Sequence, residues 1–271
     1  MDEHTRPHYE RSALLTIDLQ RDFLSDSPYG IAGTTEVLPA VCTLVKAYRA
    51  AERPIVHVVR LYLPDGSNAD LCRRAVLASG ASIALPGSPG SQLADGLTPD
   101  NTIELDHDQL LAGQFQRLGP TEHAMFKPRW NAFFDTGLDD YLRQIGVDTV
   151  VVAGCNYPNC PRGTLFGASE RDYRAVLVSD AVSQWNEHAS TELANLGVVT
   201  ATTSDVLTQF GQTANVTSRM DPRQEVSAMP DLPTGVPARP DRIPRRTSTA
   251  PLITQAEISL PADTAVRRGE R

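Results

Sequence analysis

Long apolar runs and an excess of positive charge are both missing from this chain of 271 residues. A membrane-spanning helix needs about twenty consecutive apolar residues, so the sequence predicts no membrane span. The chain has 25 Lys and Arg residues against 33 Asp and Glu residues, a net charge of -8. This balance argues against nucleic acid or an anionic membrane surface as the main partner. The first ten residues lack the apolar core of a signal peptide.

Cysteine is scarce as well, with four residues in the chain. A chain of this length with so few cysteines is not held together by a disulfide framework, and reduced thiols in a cytoplasmic setting are expected. Cys155 and Cys160 could supply half of a zinc site, but no second Cys or His pair lies at metal-binding spacing, and His57 has no neighbouring His. We therefore expect no metal ion and no other cofactor.

Apolar strands and amphipathic helices alternate along residues 12–211. The opening unit is a strand over 12–18, a helix over 34–52 and a second strand over 55–60. This order indicates parallel strands joined by a crossover helix. We predict an α/β domain, a three-layer α/β/α sandwich with a mostly parallel sheet. Residues 63–101 are rich in Gly and Pro, which is typical of a functional loop or lid.

The two ends of the chain differ from this central domain. Residues 1–11 form a short N-terminal extension, and residues 212–271 form a tail rich in Pro and Arg with no aromatic residue. A segment of this composition cannot bury enough apolar surface to become ordered alone. We expect the tail to be flexible or to dock on a neighbouring subunit.

A reactive thiol is predicted where an apolar strand over 148–153 meets a tight turn and the start of a helix. Pro161 directly follows Cys160, and proline is favoured at the first helical position. The helix dipole and the free N–H groups at that end would stabilise a thiolate and lower the pKa of Cys160. Most free cysteines are inert packing residues, and for Cys155 and Cys72 both interpretations stay open.

Three predicted strand ends are each followed by one chemically reactive side chain, namely Asp18, Lys127 and Cys160. The carboxyl ends of parallel strands share one edge of a sheet, so these groups can converge. A carboxylate, an ammonium and a thiol together make a nucleophile system. Each residue also has an ordinary role, since Asp18 could cap a helix and Lys127 could lie at the surface.

Three motifs, in order and with fitting spacing, resemble the isochorismatase-like cysteine hydrolases, which include nicotinamidases and N-carbamoylsarcosine amidohydrolases. The first is an apolar strand with Asp-x-Gln-x-x-Phe over residues 14–23. The second is the lysine segment over 126–138, and the third is the thiol turn over 154–160. A loop at 87–93 also fits. The resemblance spans residues 12 to about 210.

The resemblance implies roles for particular residues. Cys160 is the implied nucleophile, Asp18 the general base and acid, and Lys127 the electrostatic partner of both. A non-proline cis peptide bond is implied between Cys155 and Asn156, with the N–H groups of Asn156 and Cys160 turned towards the substrate oxyanion. Together with the tail, the resemblance also suggests a homo-oligomer, either a dimer or a tetramer.

Departures from the family pattern limit what can be carried over about the substrate. Metal-binding nicotinamidases carry histidines that the segment 60–66 lacks, so hydrolysis through a metal-bound pyridine is not expected. Residues 105–123 look like an insertion, and the turn over 156–159 is unusual.

Several residues beside the motifs are candidates for contact with a small-molecule substrate. Phe23, Trp130 and Tyr157 could form an apolar wall, although Phe23 fits plain core packing equally well. Arg60, Arg129 and Arg162 could meet a substrate carboxylate.

The sequence therefore predicts hydrolysis of a C–N bond in a small amide, ureido, carbamoyl or lactam substrate through a Cys160 thioester. A vinyl-ether or ester hydrolase on the same scaffold is one alternative. A catalytically silent binding protein and a redox sensor in which Cys155 and Cys160 form a reversible bridge are the others.

Overall fold

A computed structural model describes residues 2–217, with the backbone alone for residues 211–217. Seven strands form one sheet in the order β3-β4-β2-β1-β5-β6-β7. The strands are β1 (Ser12–Ile17), β2 (Ile55–Val59), β3 (Gln116–Gly119), β4 (Glu122–Phe126), β5 (Thr149–Gly154), β6 (Arg174–Val182) and β7 (Val199–Ala201). The predicted tail lies outside the described residues from position 218 onwards.

Parallel pairing dominates the sheet, as the alternation of strands and helices predicted. Strand β1 lies in the centre, with Leu14 beside Ile55 of β2 and beside Val151 of β5. β3 alone among the described strands pairs antiparallel, with β4 at one edge. The carboxyl ends of β1, β2, β4 and β5 therefore lie along the same edge of the sheet.

Helices cover both faces of the sheet and complete the predicted α/β/α sandwich. They are α1 (Thr34–Ala50), α2 (Leu71–Ala78), α3 (His107–Leu111), α4 (Leu138–Gln144), α5 (Cys160–Ser169), α6 (Glu187–Ala194) and α7 (Thr203–Thr217). None of these described helices is long and apolar enough to cross a membrane.

Two apolar cores, one on each face, follow from the alternation of side chains along the strands. Leu14 of β1 packs in the same core as residues of α1 and α7. Its neighbours Ala13 and Leu15 point to the opposite core, which contains residues of α4, α5 and α6. Strands covered on both faces have apolar side chains at successive positions, which explains the unbroken apolar runs of β1 and β5.

The structure departs from the predicted elements in two places. The segment 105–123, predicted only as an insertion, contains α3 and the antiparallel strand β3. The tail was predicted to begin at residue 212, but α7 continues to Thr217. Glycine often marks the end of a helix, but α7 continues through Gly211.

Candidate active site

The three predicted groups meet at the carboxyl edge of the sheet. Asp18 directly follows β1, Lys127 directly follows β4, and Cys160 opens α5 after the turn that leaves β5. The Lys127 Nζ atom donates a hydrogen bond of 2.8 Å to Asp18 Oδ2 and lies 3.3 Å from Cys160 Sγ. A carboxylate, an ammonium and a thiol are therefore in direct contact, although their positions span 143 residues of sequence from 18 to 160.

This group of side chains is almost sealed from solvent. Lys127 is fully buried, and Asp18 and Cys160 are 5% and 6% exposed. Asp18 Oδ1 is buried and has no hydrogen-bond partner among the described residues. One carboxylate oxygen is thus held by the lysine, while the other has free capacity to accept a proton or a hydrogen bond.

Burial changes the proton affinities of the site. It raises the pKa of Cys160, and the negative charge of Asp18 raises it further, while Lys127 only partly opposes them. The predicted lowering of this pKa is therefore wrong, because a position at a helix N-terminus does not compensate for the loss of water around the sulfur. The thiol is protonated at rest, so a base has to remove its proton when it attacks.

Lys127 stays positively charged despite its burial. Removal from water pushes the pKa of this ammonium down, but the negative charge of the Asp18 carboxylate, its hydrogen bond to the ammonium and the nearby Cys160 sulfur outweigh that effect, and the net direction is up. A charged ammonium can be kept in a dry site only when it is paired, and here the Asp18 carboxylate is its partner.

Backbone contacts hold the charged pair in place. The Asp18 N–H donates to the Val58 carbonyl, and the Lys127 N–H donates to the Val59 carbonyl. Asp18 has a φ angle of 50°, in the left-handed region, where the chain leaves the direction of β1. Aspartate tolerates this conformation better than most residues, and such positions cluster at functional sites.

Gln20 ties three segments together beneath the site. Its side-chain oxygen accepts a hydrogen bond from the Arg60 N–H at 2.8 Å. Its amide nitrogen donates to the carbonyl oxygens of Arg60 and Ser91 at 2.8 and 2.7 Å. Arg60 in turn donates to the Lys127 carbonyl oxygen at 2.9 Å. This explains in physical terms why a glutamine follows Asp18 in the first motif, and why the loop at 87–93 accompanies it.

A cavity opens directly onto the thiol. It is narrow, with about 50 Å³ of free interior volume between its walls. The lining residues are Asp18, Phe23, Tyr29, Ile31, Arg60, Tyr62, Arg73, Ile83, Lys127, Trp130, Cys155, Asn156, Asn159 and Cys160. Apolar and aromatic side chains thus surround a few charged and polar groups.

The predicted substrate contacts divide between this cavity and other places. Phe23 and Trp130 line the cavity, and Phe23 also belongs to the core. Tyr157 does not line the cavity, because its ring packs edge to face on Trp185 within the second core. Arg162 does not line it either, and its side chain pairs with Glu192.

The remaining two predicted arginines converge on one acid. Arg60 lines the cavity and forms a buried ion pair with Asp70. Arg129 lies outside the cavity lining, with its Nε atom 4.0 Å from the other oxygen of the same Asp70. Asp70 was not a sequence candidate, because nothing local marks an acid that has its partner ten residues earlier.

The turn before Cys160 has an unusual backbone. The peptide bond between Cys155 and Asn156 is cis. Cys155 is buried, and burial raises its pKa to about 12. The Asn156 side chain donates to Gln184 at 2.7 Å. All four cysteines are free thiols in the structure. Within residues 2–217, no cluster of three or more His, Cys, Asp or Glu side chains could hold a metal ion.

Sequence reasoning missed several residues of the cavity. Tyr29, Ile31, Tyr62, Ile83 and Asn159 line it but carry no catalytic pattern in the sequence. Arg73 of α2 was also missed. The prediction of a functional loop or lid over residues 63–101 was the one signal that pointed to its neighbourhood.

Fold and site together define a class of protein, and comparison with known proteins agrees. A model of the isochorismatase domain family matches residues 12–206. This is well over half of the chain, which therefore belongs to the isochorismatase family of hydrolases, as the three motifs predicted.

Similar proteins within this class carry several different names. The chain is 30% identical over 201 residues to a probable inactive nicotinamidase of Arabidopsis thaliana, with 72% of this chain and 93% of that protein covered. It is 27% identical over 214 residues to the ureidoacrylate amidohydrolase RutB of Methylobacterium radiotolerans, with 71% and 76% covered.

Solved structures show the same architecture. An isochorismatase family protein from Desulfovibrio vulgaris superposes with a TM-score of 0.60 at 30% identity, covering 76% of this chain and 98% of that one. The N-carbamoylsarcosine amidase from Thermoplasma acidophilum has a TM-score of 0.56 at 20% identity, covering 71% and 96%. The second likeness shows the fold alone.

Proposed function

We propose that this protein is a cysteine amidohydrolase that cleaves a C–N bond in a small amide, ureido, carbamoyl or lactam substrate. One observation carries the proposal: the Lys127 ammonium contacts both the Asp18 carboxylate and the Cys160 sulfur, in a dry pocket that opens to a cavity. The free Asp18 Oδ1 is the base that a protonated thiol requires.

In the first half of the reaction, Asp18 takes the thiol proton while the Cys160 sulfur bonds to the substrate carbonyl carbon. The carbonyl oxygen becomes an oxyanion, which the backbone N–H groups of Asn156 and Cys160 bind. Cys160 is the first residue of α5, and N–H groups in the first helical turn have no partner within the helix. Donors of this kind, fixed in advance, typically lower the barrier by about 3 kcal/mol each.

Collapse of this intermediate breaks the C–N bond, and Asp18 returns its proton to the leaving nitrogen. An acyl group then remains on Cys160 as a thioester. Asp18 next takes a proton from water, the hydroxide attacks the acyl carbon, and the C–S bond breaks. The sulfur recovers the proton and the acid product leaves. Lys127 stays charged throughout and balances the negative charge that moves between the carboxylate and the sulfur.

A catalytically silent binding protein is the second candidate, because one relative is named a probable inactive nicotinamidase. The contact of Asp18, Lys127 and Cys160 supports the active reading for this chain. A homo-oligomeric state, a cytoplasmic location and independence from cofactors stay predictions.

Thioester trapping tests the proposed function. The protein is incubated with a panel of small amides, ureido acids and lactams, quenched in acid and analysed by intact mass spectrometry. We expect an acyl adduct on Cys160 that is absent from Cys160→Ala and retained in Cys72→Ala, since Cys72 is an exposed thiol. Turnover that survives in Cys160→Ala would favour ether or ester chemistry. Absence of any adduct, with a Cys160 no more reactive than free cysteine, would favour the silent protein.

A further inference from the structure

The cavity contains more positive charge than the protein itself neutralises. Lys127 is paired with Asp18, and Arg60 is paired with Asp70. Asp70 also faces Arg129, so this single carboxylate already serves two guanidinium groups. Arg73 is the third cation of the cavity lining. No ion pair of Arg73 exists within residues 2–210, where side chains are described.

The position of Arg73 suits contact with a ligand. It lies in the first half of α2 and is half-buried, with its guanidinium carbon 5.8 Å from the centre of the Trp130 ring. The guanidinium of Arg60 lies 5.9 Å from the centre of the same ring. Two cations thus converge on one indole at the cavity wall. Arg60 has the Asp70 carboxylate beside it, whereas no carboxylate among the described side chains lies within ion-pair distance of Arg73.

Arg60 is already committed to protein partners, whereas Arg73 is not. The Arg60 side chain is 3% exposed and donates to Asp70 and to the Lys127 carbonyl oxygen. Arg73 has hydrogen-bond donors left over, and a guanidinium presents them in a planar fork that matches a carboxylate. Tyr29, Ile31 and Ile83 complete the cavity with apolar surface, which would cover the carbon part of a ligand.

We infer that the substrate is an acid, with a carboxylate that binds Arg73 while its amide or ureido carbonyl meets Cys160. This inference rests on the proposed function and narrows it to amido, ureido or carbamoyl acids. Arg73 determines specificity and does not take part in proton transfer. The neighbouring Arg74 supplies a matched control, since it is exposed, does not line the cavity and donates to the Ala69 carbonyl oxygen.

A test that needs no knowledge of the natural substrate compares alkylating acids with their amides. Iodoacetate and 3-bromopropionate, and their neutral amides, are reacted with the full-length protein, and modification of Cys160 is followed by peptide mass spectrometry. We expect the acid-to-amide rate ratio at Cys160 to exceed that of N-acetylcysteine by about tenfold, the size of one charge-assisted contact. The ratio should fall by about tenfold in Arg73→Met, stay unchanged in Arg74→Met and partly recover in Arg73→Lys.

Turnover gives the second readout, with N-carbamoylglycine and its uncharged isostere isobutylurea as the substrate pair. We expect the wild-type protein to prefer the acid, and Arg73→Met to lose that preference through KM more than through kcat. Equal rate ratios in the wild type and Arg73→Met would overturn the inference, while thioester formation from neutral amides would leave the proposed function standing. A Cys160 that reacts with no acid, no amide and no substrate would overturn both.

Discussion

Loss of either partner from the buried pair of Asp18 and Lys127 should strongly destabilise the protein, and the structure sets the scale of this effect. Two unit charges at 2.8 Å attract by about 6 kcal/mol at an effective dielectric constant of about 20. Desolvation of both groups cancels much of this gain, so the pair adds little compared with two apolar residues. Removal of one partner is different, because it leaves the other charge buried alone and costs about 3–5 kcal/mol.

A double-mutant cycle measures this coupling. We expect Lys127→Met and Asp18→Asn each to lower the free energy of unfolding in urea by about 3 kcal/mol or more at pH 7. The double variant should lose clearly less than the sum, with a coupling energy of about 3 kcal/mol. The denaturant slope m should stay constant, so that the midpoint alone reports the change.

The exposed pair of Arg143 and Asp139 provides the control for burial. Its nitrogen and oxygen are 2.9 Å apart, almost the distance in the buried pair, but the two side chains are 56% and 33% exposed. We expect a coupling of no more than about 0.5 kcal/mol from Arg143→Met and Asp139→Asn. Equal coupling energies in the two cycles would refute the argument that burial makes the site pair strong.

Three further predictions address other parts of the fold. Burial lowers the pKa of His123 to about 4, so on acidification the unfolded chain binds a proton at this residue before the folded chain does. About 3 kcal/mol of the free energy of unfolding should therefore be lost as the pH falls from 6.5 to 4. His123→Gln should flatten this part of the plot of unfolding free energy against pH, and an unchanged plot would refute the prediction. Gly154→Ala should destabilise severely in thermal melts, because the residue has a φ of 122° and a Cβ would collide with the Ile17 carbonyl oxygen; a melting point within a few degrees of wild type would contradict it. Gln20→Leu should lower kcat by about 100-fold with a smaller change in KM, because the Arg60 backbone loses its hydrogen bonds to the Gln20 side chain. A kcat within threefold of wild type would show that Gln20 does not position the catalytic groups.

The convergence of Asp18, Lys127 and Cys160 could be predicted from sequence because each follows a strand. Unbroken apolar runs indicate strands covered on both faces, and alternation with helices makes those strands parallel. Their carboxyl ends then share an edge without any knowledge of side-chain positions. Strand β3 could not be found this way, because it has four residues and only one of them is buried. It also pairs antiparallel with β4 at the edge of the sheet, outside the alternation of parallel strands and helices.

Two features of the site depend on tertiary environment alone. Pro161 correctly indicated that a helix starts beside Cys160, but the depth of burial that sets the pKa of the thiol has no local signature. The sequence alone does not distinguish Arg73 from Arg74, because both are arginines at adjacent positions of one short helix. The packing of that helix against the cavity brings the first near Trp130 and leaves the second in solvent.

The position of Trp130 makes the tryptophan fluorescence of the protein a signal of what the cavity contains. The chain has two tryptophans, and Trp130 lines the cavity beside two cations while Trp185 packs on Tyr157 in the second core. A ligand that enters the cavity changes the polarity and charge around the first indole and leaves the second largely untouched. In a Trp185→Phe protein the whole indole emission therefore originates at the cavity wall. Occupancy could then be followed in real time, without a dye and without turnover.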